Sequence, residues 1–145
     1  MILNRKFPAC GRTIIYNGRP RFVRFPSLIF RFIPERFTGA GIPYLFVTDT
    51  ENRIPLMPNI NTKGKVCLNV QAIRFMAAVL NREEPSSEND LQAFNMTIEK
   101  FWASSFTDAI LLARPNTELD RLREFEANLE NQTVVFLPKD NGFFL

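Results

Sequence analysis

The chain has 145 residues, of which 46% are apolar; this is enough for one hydrophobic core, so we expect a single domain spanning residues 1–145. No apolar run reaches the roughly 18 residues of a membrane span, and no signal peptide is evident, so we expect a soluble, cytoplasmic protein without a membrane partner. The net charge of +3 favours acidic partners, and the absence of histidine excludes a Ser/His/Asp triad, a Cys/His protease pair and a histidine-ligated metal site.

The first third of the chain predicts an antiparallel meander of four strands. Residues 13–16 and 19–25 are β-branched and aromatic runs on either side of Asn17-Gly18, a strong signal for a two-residue hairpin. Residues 28–33 then alternate at the period of a strand, and residues 44–47 form a fourth short strand. We expect the many phenylalanines of this region to lie in the core.

The pattern changes to the helical period beyond a loop at residues 49–68. Apolar residues recur every three or four positions in residues 70–80 and again in residues 91–111, where a break is expected at Ser104-Ser105. Between these two segments, the polar and acidic residues 82–90 predict an exposed connection.

A last helix is predicted to begin at Asn116 or Thr117, where either side chain can cap it. Its inward face is expected to consist of Leu119, Leu122, Phe125 and Leu129. Residues 133–137 then predict a closing strand. The expected fold class is therefore α+β, with a four-stranded antiparallel meander sheet packed with helices.

The two cysteines lie in different sequence contexts. Cys10 has no motif around it and is interpreted as structural or incidental. Cys67 lies in the segment PNINTKGKVCL, in which Asn59 precedes it by eight positions and Gly64 lies between them. Two cysteines without histidine are too few for a disulfide framework or a zinc site, so we expect a free thiol and no metal.

This segment resembles the active-site stretch of ubiquitin-conjugating enzymes, in which His-Pro-Asn is followed by a glycine turn, an aliphatic residue and Cys-Leu. Two weaker similarities extend the resemblance: Phe75 stands where the family usually has tryptophan, and residues 111–116 are similar to the end of its central helix. The resemblance implies the fold of that family for residues 1–145. It also implies an acyltransferase that accepts a ubiquitin-like protein from an activating enzyme, as a thioester on Cys67, and transfers it to an amine of a target protein.

The resemblance further implies the roles of three residues. Cys67 carries the thioester, because a thiolate is both a nucleophile and a leaving group. Asn59 donates a hydrogen bond to the oxyanion of the transfer step. Glu118 is the acidic gate that orients or deprotonates the attacking lysine, with Asp120 as the alternative. No cofactor is needed, because the activating enzyme consumes the ATP.

The sequence departs from the family pattern in four places. Met57 replaces the histidine, an insertion that includes residues 83–90 follows Cys67, no N-terminal helix is evident in residues 1–11, and the C-terminal helices are short. These departures indicate the divergent bacterial branch of the family. Its operons encode an activating enzyme, a ubiquitin-like protein and a metalloprotease, and they include antiphage systems.

Less specific interpretations exist for each of these features. Cys67 could be a buried structural cysteine, Asn59 a turn residue, and Glu118 and Asp120 acids favoured at a helix start. Residues 1–82 hold thirteen Lys/Arg against three Asp/Glu, which keeps open a nucleic-acid-binding domain, although we find no nucleic-acid motif and do not expect such a partner. The other alternative is a catalytically silent relative that acts as an interaction module.

Overall fold

The computed structural model describes residues 1–68, 86–107 and 117–140, with side chains described from residue 120 onward in the last range. The strands are β1 (Leu3–Phe7), β2 (Cys10–Tyr16), β3 (Arg19–Phe25), β4 (Leu28–Ile33), β5 (Tyr44–Asp49), β6 (Arg53–Pro55), β7 (Ser105–Phe106) and β8 (Phe136–Pro138). The helices are α1 (Ser87–Trp102), α2 (Thr117–Glu130) and a short 3-10 helix at Glu35–Phe37. The α+β class is therefore confirmed for the described residues.

The predicted hairpin is confirmed. Strands β2 and β3 pair antiparallel from Cys10↔Phe25 to Tyr16↔Arg19. Asn17 and Gly18 form the turn with φ of 48° and 77°, because a two-residue turn that follows the twist of the strands needs positive φ at both positions.

The predicted pairing of β3 with β4 is wrong. Strand β4 pairs instead with β1 and β5, in the order β1-β4-β5, while β3, β2 and the short parallel strand β7 form a second sheet. The sequence analysis did not predict strand β1. This strand pairs with β4 at the edge where the predicted meander would have placed β3. The ranges that the structure describes thus contain two three-stranded sheets and the pair β6-β8, rather than one four-stranded meander.

Helix α1 begins earlier than the sequence pattern predicts. Residues 87–90 belong to the helix and not to an exposed connection, because the Ser86 hydroxyl accepts a hydrogen bond from the Asn89 amide at 3.1 Å and caps the helix. The helix ends at Trp102, so the expected break at Ser104-Ser105 is confirmed, with β7 beginning at Ser105. The predicted helix at residues 70–80, residues 82–85 and residues 108–116 lie outside the described residues.

The last helix agrees with the sequence pattern, whereas the closing strand begins at Phe136 rather than at Thr133. Helix α2 buries Leu122, Phe125 and Leu129, whereas the predicted inward residue Leu119 is not among the side chains described. Strand β8 pairs with β6, a strand inside the predicted loop at residues 49–68. Neither helix among the described residues is long and apolar enough to cross a membrane.

Aromatic rings form the centre of the core, as the phenylalanine pattern predicts. Phe30 contacts Phe101 of α1 edge-on at 5.9 Å between ring centres, and Phe32 stacks on Phe94 at 5.2 Å. These contacts fix α1 against the sheet β1-β4-β5, since aromatic pairs of this geometry add to the free energy of burial. Phe22 and Phe37 are exceptions, because each is 45% exposed.

An ion pair joins the connection after β4 to the start of α1. Both guanidinium nitrogens of Arg36 donate to the carboxylate of Asp90, at 2.5 and 2.6 Å, and this contact raises the pKa of Arg36 above its ordinary value. The Asp90 side chain is 6% exposed, whereas that of Arg36 is 38% exposed. The carboxylate therefore depends on Arg36 for its solvation, while Arg36 retains access to water.

This asymmetry predicts which partner matters more for stability. Arg36→Ala leaves a buried carboxylate without a counter-ion and should lower the free energy of unfolding by about 2–3 kcal/mol, more than Asp90→Ala, which leaves a cation that water can solvate. Urea denaturation measures the free energy of unfolding of both variants. Arg21→Ala, which breaks an exposed pair with Glu130, is the control and should cost less than about 1 kcal/mol. A cost of Arg36→Ala no greater than that of the control contradicts this prediction.

Candidate active site

The segment before Cys67 is attached to an edge of the sheet β1-β4-β5. The Val47 amide donates to the Gly64 carbonyl at 3.0 Å, and the Val66 amide donates to the Leu45 carbonyl at 2.8 Å. Phe46 and Lys65 thereby form an antiparallel bridge. Residues 64–66 act as a short extra strand on β5, so the position of Cys67 is fixed by backbone hydrogen bonds.

Gly64 allows this close approach. Its φ is +81°, and a Cβ atom built there would lie 2.9 Å from the Val47 carbonyl oxygen and 3.0 Å from Cγ2 of Ile54. Only glycine combines a left-handed backbone with no side chain. Steric constraints therefore explain why a glycine occupies this position of the sequence motif.

Asn61 forms the turn that leads into the extra strand. Its Oδ1 accepts hydrogen bonds from the amides of Lys63 and Lys65, at 2.9 and 3.0 Å, and its own amide donates to the Lys65 carbonyl at 3.0 Å. Such a short asparagine turn gives the backbone local partners in place of a longer loop. The turn keeps residues 61–65 compact just before Cys67 in the chain.

Asn59 and Cys67 are brought together as the spacing predicts. The Cys67 amide donates to the Asn59 carbonyl at 2.6 Å, next to the antiparallel bridge between Ile60 and Val66. Cys67 is exposed and Asn59 is buried. An exposed cysteine is thus joined through its backbone to an asparagine that is shielded from solvent.

The backbone and side chain of Asn59 are both unusual. Its φ is +73°, which disfavours most residues other than glycine, and its Oδ1 is buried with no hydrogen-bond partner among the described residues. An unpaired buried polar atom costs about 1–3 kcal/mol. The positive φ agrees with the alternative interpretation of Asn59 as a turn residue, because asparagine tolerates a left-handed backbone, whereas the burial of Oδ1 without a described partner is not anticipated by the sequence.

Met57 takes a different role from the histidine of the related motif. Its side chain is buried in the hydrophobic core, and its carbonyl accepts from the Ile60 amide at 3.4 Å. The loop is held instead by Asn61 and by a 2.8 Å hydrogen bond from the Leu56 amide to the Val135 carbonyl. Backbone contacts and packing therefore supply the support that an imidazole would otherwise give.

The predicted acidic gate is only partly described. Glu118 lies in the first turn of α2, but its side chain is not among those described; Asp120 is exposed and has no hydrogen bond or ion pair within the described ranges. Of the residues similar to other parts of the family pattern, Phe75 and residues 111–116 also lie outside these ranges. The candidate site that can be built is the pair Cys67 and Asn59.

Lys65 and the second cysteine have ordinary roles. The Lys65 ammonium lies 3.6 Å from the centre of the Tyr44 ring, a cation-π contact. Cys10 is half-buried in β2 opposite Phe25, in keeping with a structural interpretation. No group of three or more potential metal ligands occurs in the part of the chain that the structure describes.

The fit of Gly64 against β5 predicts a large effect of substitution there. Gly64→Ala adds both left-handed strain and a collision with the Val47 carbonyl, and should lower the free energy of unfolding by about 2–4 kcal/mol. Gly18→Ala is the matched control: its φ is +77°, but nothing lies within 4 Å of the added Cβ, so about 1 kcal/mol is expected. Equal costs in urea denaturation would show that the approach to β5 is not tight.

Comparison with protein-family models, with curated proteins and with solved structures found no match for this chain.

Proposed function

We propose that the protein is a conjugating enzyme for a ubiquitin-like protein, with Cys67 as the thioester carrier. The observation that carries this proposal is the pairing of an exposed cysteine with a buried asparagine through the 2.6 Å backbone hydrogen bond. The order of residues from Asn59 to Cys67, similar to the active-site stretch of ubiquitin-conjugating enzymes, supports the same function. The ubiquitin-conjugating-enzyme-like fold is part of the proposal.

The exposure of Cys67 supports the first transfer. Its thiolate attacks the thioester carbonyl carbon of the charged activating enzyme; a new carbon–sulfur bond forms, and the activating enzyme's thiolate leaves. The acyl group is already activated, so no imidazole base is required in this step, in keeping with a chain without histidine. A structural cysteine would be buried, and Cys67 is not.

The burial of Asn59 and of its unpaired Oδ1 among the described residues supports its role in the second transfer. When an amine attacks the carried thioester, negative charge develops on the carbonyl oxygen, and a pre-positioned amide donor lowers the barrier by about 3 kcal/mol. Left-handed backbone and unpaired polar atoms cluster at functional sites, because there the strain serves the chemistry. We assign the oxyanion contact to the Asn59 side-chain amide.

The acceptor amine must lose a proton as the carbon–nitrogen bond forms and the Cys67 thiolate leaves. We assign this proton to the carboxylate of Glu118, with Asp120 as the alternative, since both lie in the first turn of α2. The proposed partners are an activating enzyme, a ubiquitin-like protein and a target protein amine. A bacterial setting, which includes antiphage defence operons, is the context that the sequence resemblance favours.

The carrier role predicts a thiol-sensitive adduct. Incubation with its activating enzyme, the ubiquitin-like protein and ATP should give a band on a non-reducing gel that dithiothreitol removes. Cys67→Ala should abolish this band, and Cys10→Ala, which removes the other thiol, should leave it unchanged. If the band persists in Cys67→Ala, or does not form with an activating enzyme that is itself charged, the carrier proposal fails.

The role of Asn59 predicts a separation of the two transfers. Asn59→Gly keeps a residue suited to positive φ but removes the amide, so the Cys67 adduct should form normally while its discharge to free lysine slows by about 100-fold. The free energy of unfolding should change by less than about 1 kcal/mol, because strain and an unpaired oxygen are lost together.

Asn52→Gly is the matched control for Asn59→Gly, since Asn52 also has positive φ, of 60°, but is exposed and outside the site. Its discharge rate should equal that of the wild type. An unchanged discharge rate in Asn59→Gly removes the assigned oxyanion role but leaves the carrier role of Cys67 intact.

A further inference from the structure

A groove between strands β1 and β2 and the second half of α1 is separate from the candidate active site. Its volume is about 390 Å³, within the range of about 300–1,000 Å³ that is common for small-molecule sites. It is lined by Arg5, Phe7, Arg12, Asn95, Ile98, Glu99, Trp102 and Ala103. None of these residues takes part in the proposed thioester chemistry.

The apolar surface of the groove is rigid. Trp102 packs edge-on against Phe25 and Phe30, with ring centres 5.0 and 6.2 Å away, and contacts Phe101 at 4.9 Å. Phe7 is held edge-on against Phe30 at 5.6 Å. Because these rings are fixed by the core, the groups that stack on them are held in preformed positions.

Two guanidinium groups stack on this aromatic surface. The Arg12 Cζ lies 4.5 Å from the centre of the Trp102 ring, and the Arg5 Cζ lies 4.6 Å from that of Phe7. Arg5 also donates to Oδ1 of Asn95, whereas Arg12 has no hydrogen bond or ion pair among the described residues. A stacked guanidinium keeps its in-plane N–H groups available, and their geometry matches a carboxylate.

Glu99 limits the charge of the ligand. Its carboxylate lines the same groove and forms no ion pair within the described part of the chain. It reduces the field of the two arginines and repels a dianion more strongly than a monoanion. A single carboxylate therefore fits the groove better than a phosphate monoester.

We infer that this groove is a binding site for a small aromatic monocarboxylate. The carboxylate accepts hydrogen bonds from Arg12 and Arg5, and the ring lies beside Ile98 and the stacked guanidinium groups, which cover the Trp102 and Phe7 rings. The inference does not depend on the proposed conjugating function.

The chain supplies its own reporter, because Trp102 is its only tryptophan and lies in the groove. Titration of the full-length, ¹⁵N-labelled protein with 2-naphthoate should shift the single indole Nε1–H resonance in a saturable manner. The neutral isostere 2-naphthamide should bind about tenfold more weakly, since it cannot form charge-assisted hydrogen bonds. The dianion 2-naphthyl phosphate should also bind more weakly than 2-naphthoate.

Variants of the groove arginines test whether the ligand carboxylate contacts them. Arg12→Gln should weaken 2-naphthoate binding by about tenfold, and Arg5→Gln, at an exposed position, tests the same contact if Arg12→Gln does not fold. Arg19→Gln, a matched loss of charge at the other end of the hairpin β2-β3 and outside the groove, should bind as the wild type does.

Four results would overturn the inference: no saturable shift, equal binding of 2-naphthamide, tighter binding of 2-naphthyl phosphate, or equal losses in Arg19→Gln and the groove variants. A blocked dipeptide, acetyl-Phe-Glu-amide, carries the same chemistry in a peptide. If it binds more tightly than 2-naphthoate, the ligand is a protein segment and the assignment to a small molecule is wrong.

Discussion

The position of the candidate site rests on the backbone pairing of residues 64–66 with β5. Two hydrogen bonds, from Val47 to Gly64 and from Val66 to Leu45, place this segment, and Cys67 follows it directly. From Tyr44 to Asp49, β5 is almost wholly buried, so the strand cannot shift without loss of core packing. The position of Cys67 is therefore fixed by the buried strand β5.

The same pairing explains how one short loop holds one residue in solvent and another in the protein interior. The chain reverses between Asn59 and Cys67, with Asn61 forming the turn and Ile60 bridged to Val66. One end of the reversal is exposed at Cys67, and the other is buried at Asn59. A nucleophile needs access to its partner, whereas an electrostatic donor is more effective away from water, and this loop meets both requirements within eight residues.

Local signals in the sequence predicted local structure well. Asn17-Gly18 predicted the hairpin, and the apolar periods predicted most of the buried faces of α1 and α2, because each depends on neighbours in the chain. Leu91 is the exception in α1, since it keeps the apolar period but is 50% exposed. The partners of β4 could not be predicted in this way, since β1 has no alternating pattern that marks it as a strand and only tertiary packing places it beside β4. The contact of Arg36 with Asp90 spans 54 positions and leaves no periodic trace, so residues 87–90 were assigned to a connection.

In the candidate site, too, local features were predicted from the sequence and tertiary features were not. The family resemblance implied that Asn59 acts together with Cys67, and a backbone hydrogen bond joins the two residues; the glycine between them is required by the close approach to Val47. The left-handed backbone of Asn59 and the burial of Met57 depend on neighbours that the motif does not contain. The aromatic groove was missed for a related reason: Arg12 and Trp102 are 90 positions apart in the sequence and meet only because α1 crosses the strands.

The segment that carries the thiol also covers an otherwise open sheet edge. Strand β5 is rich in apolar residues, and an unpaired strand of that composition invites pairing with a second chain. Gly64 and Val66 use backbone groups of that edge. Proteolysis or local unfolding of residues 58–68 would therefore do more than displace Cys67, because it would expose an edge prone to aggregation. Retention of the segment would thus be favoured for solubility even in a variant whose thiol had lost its use.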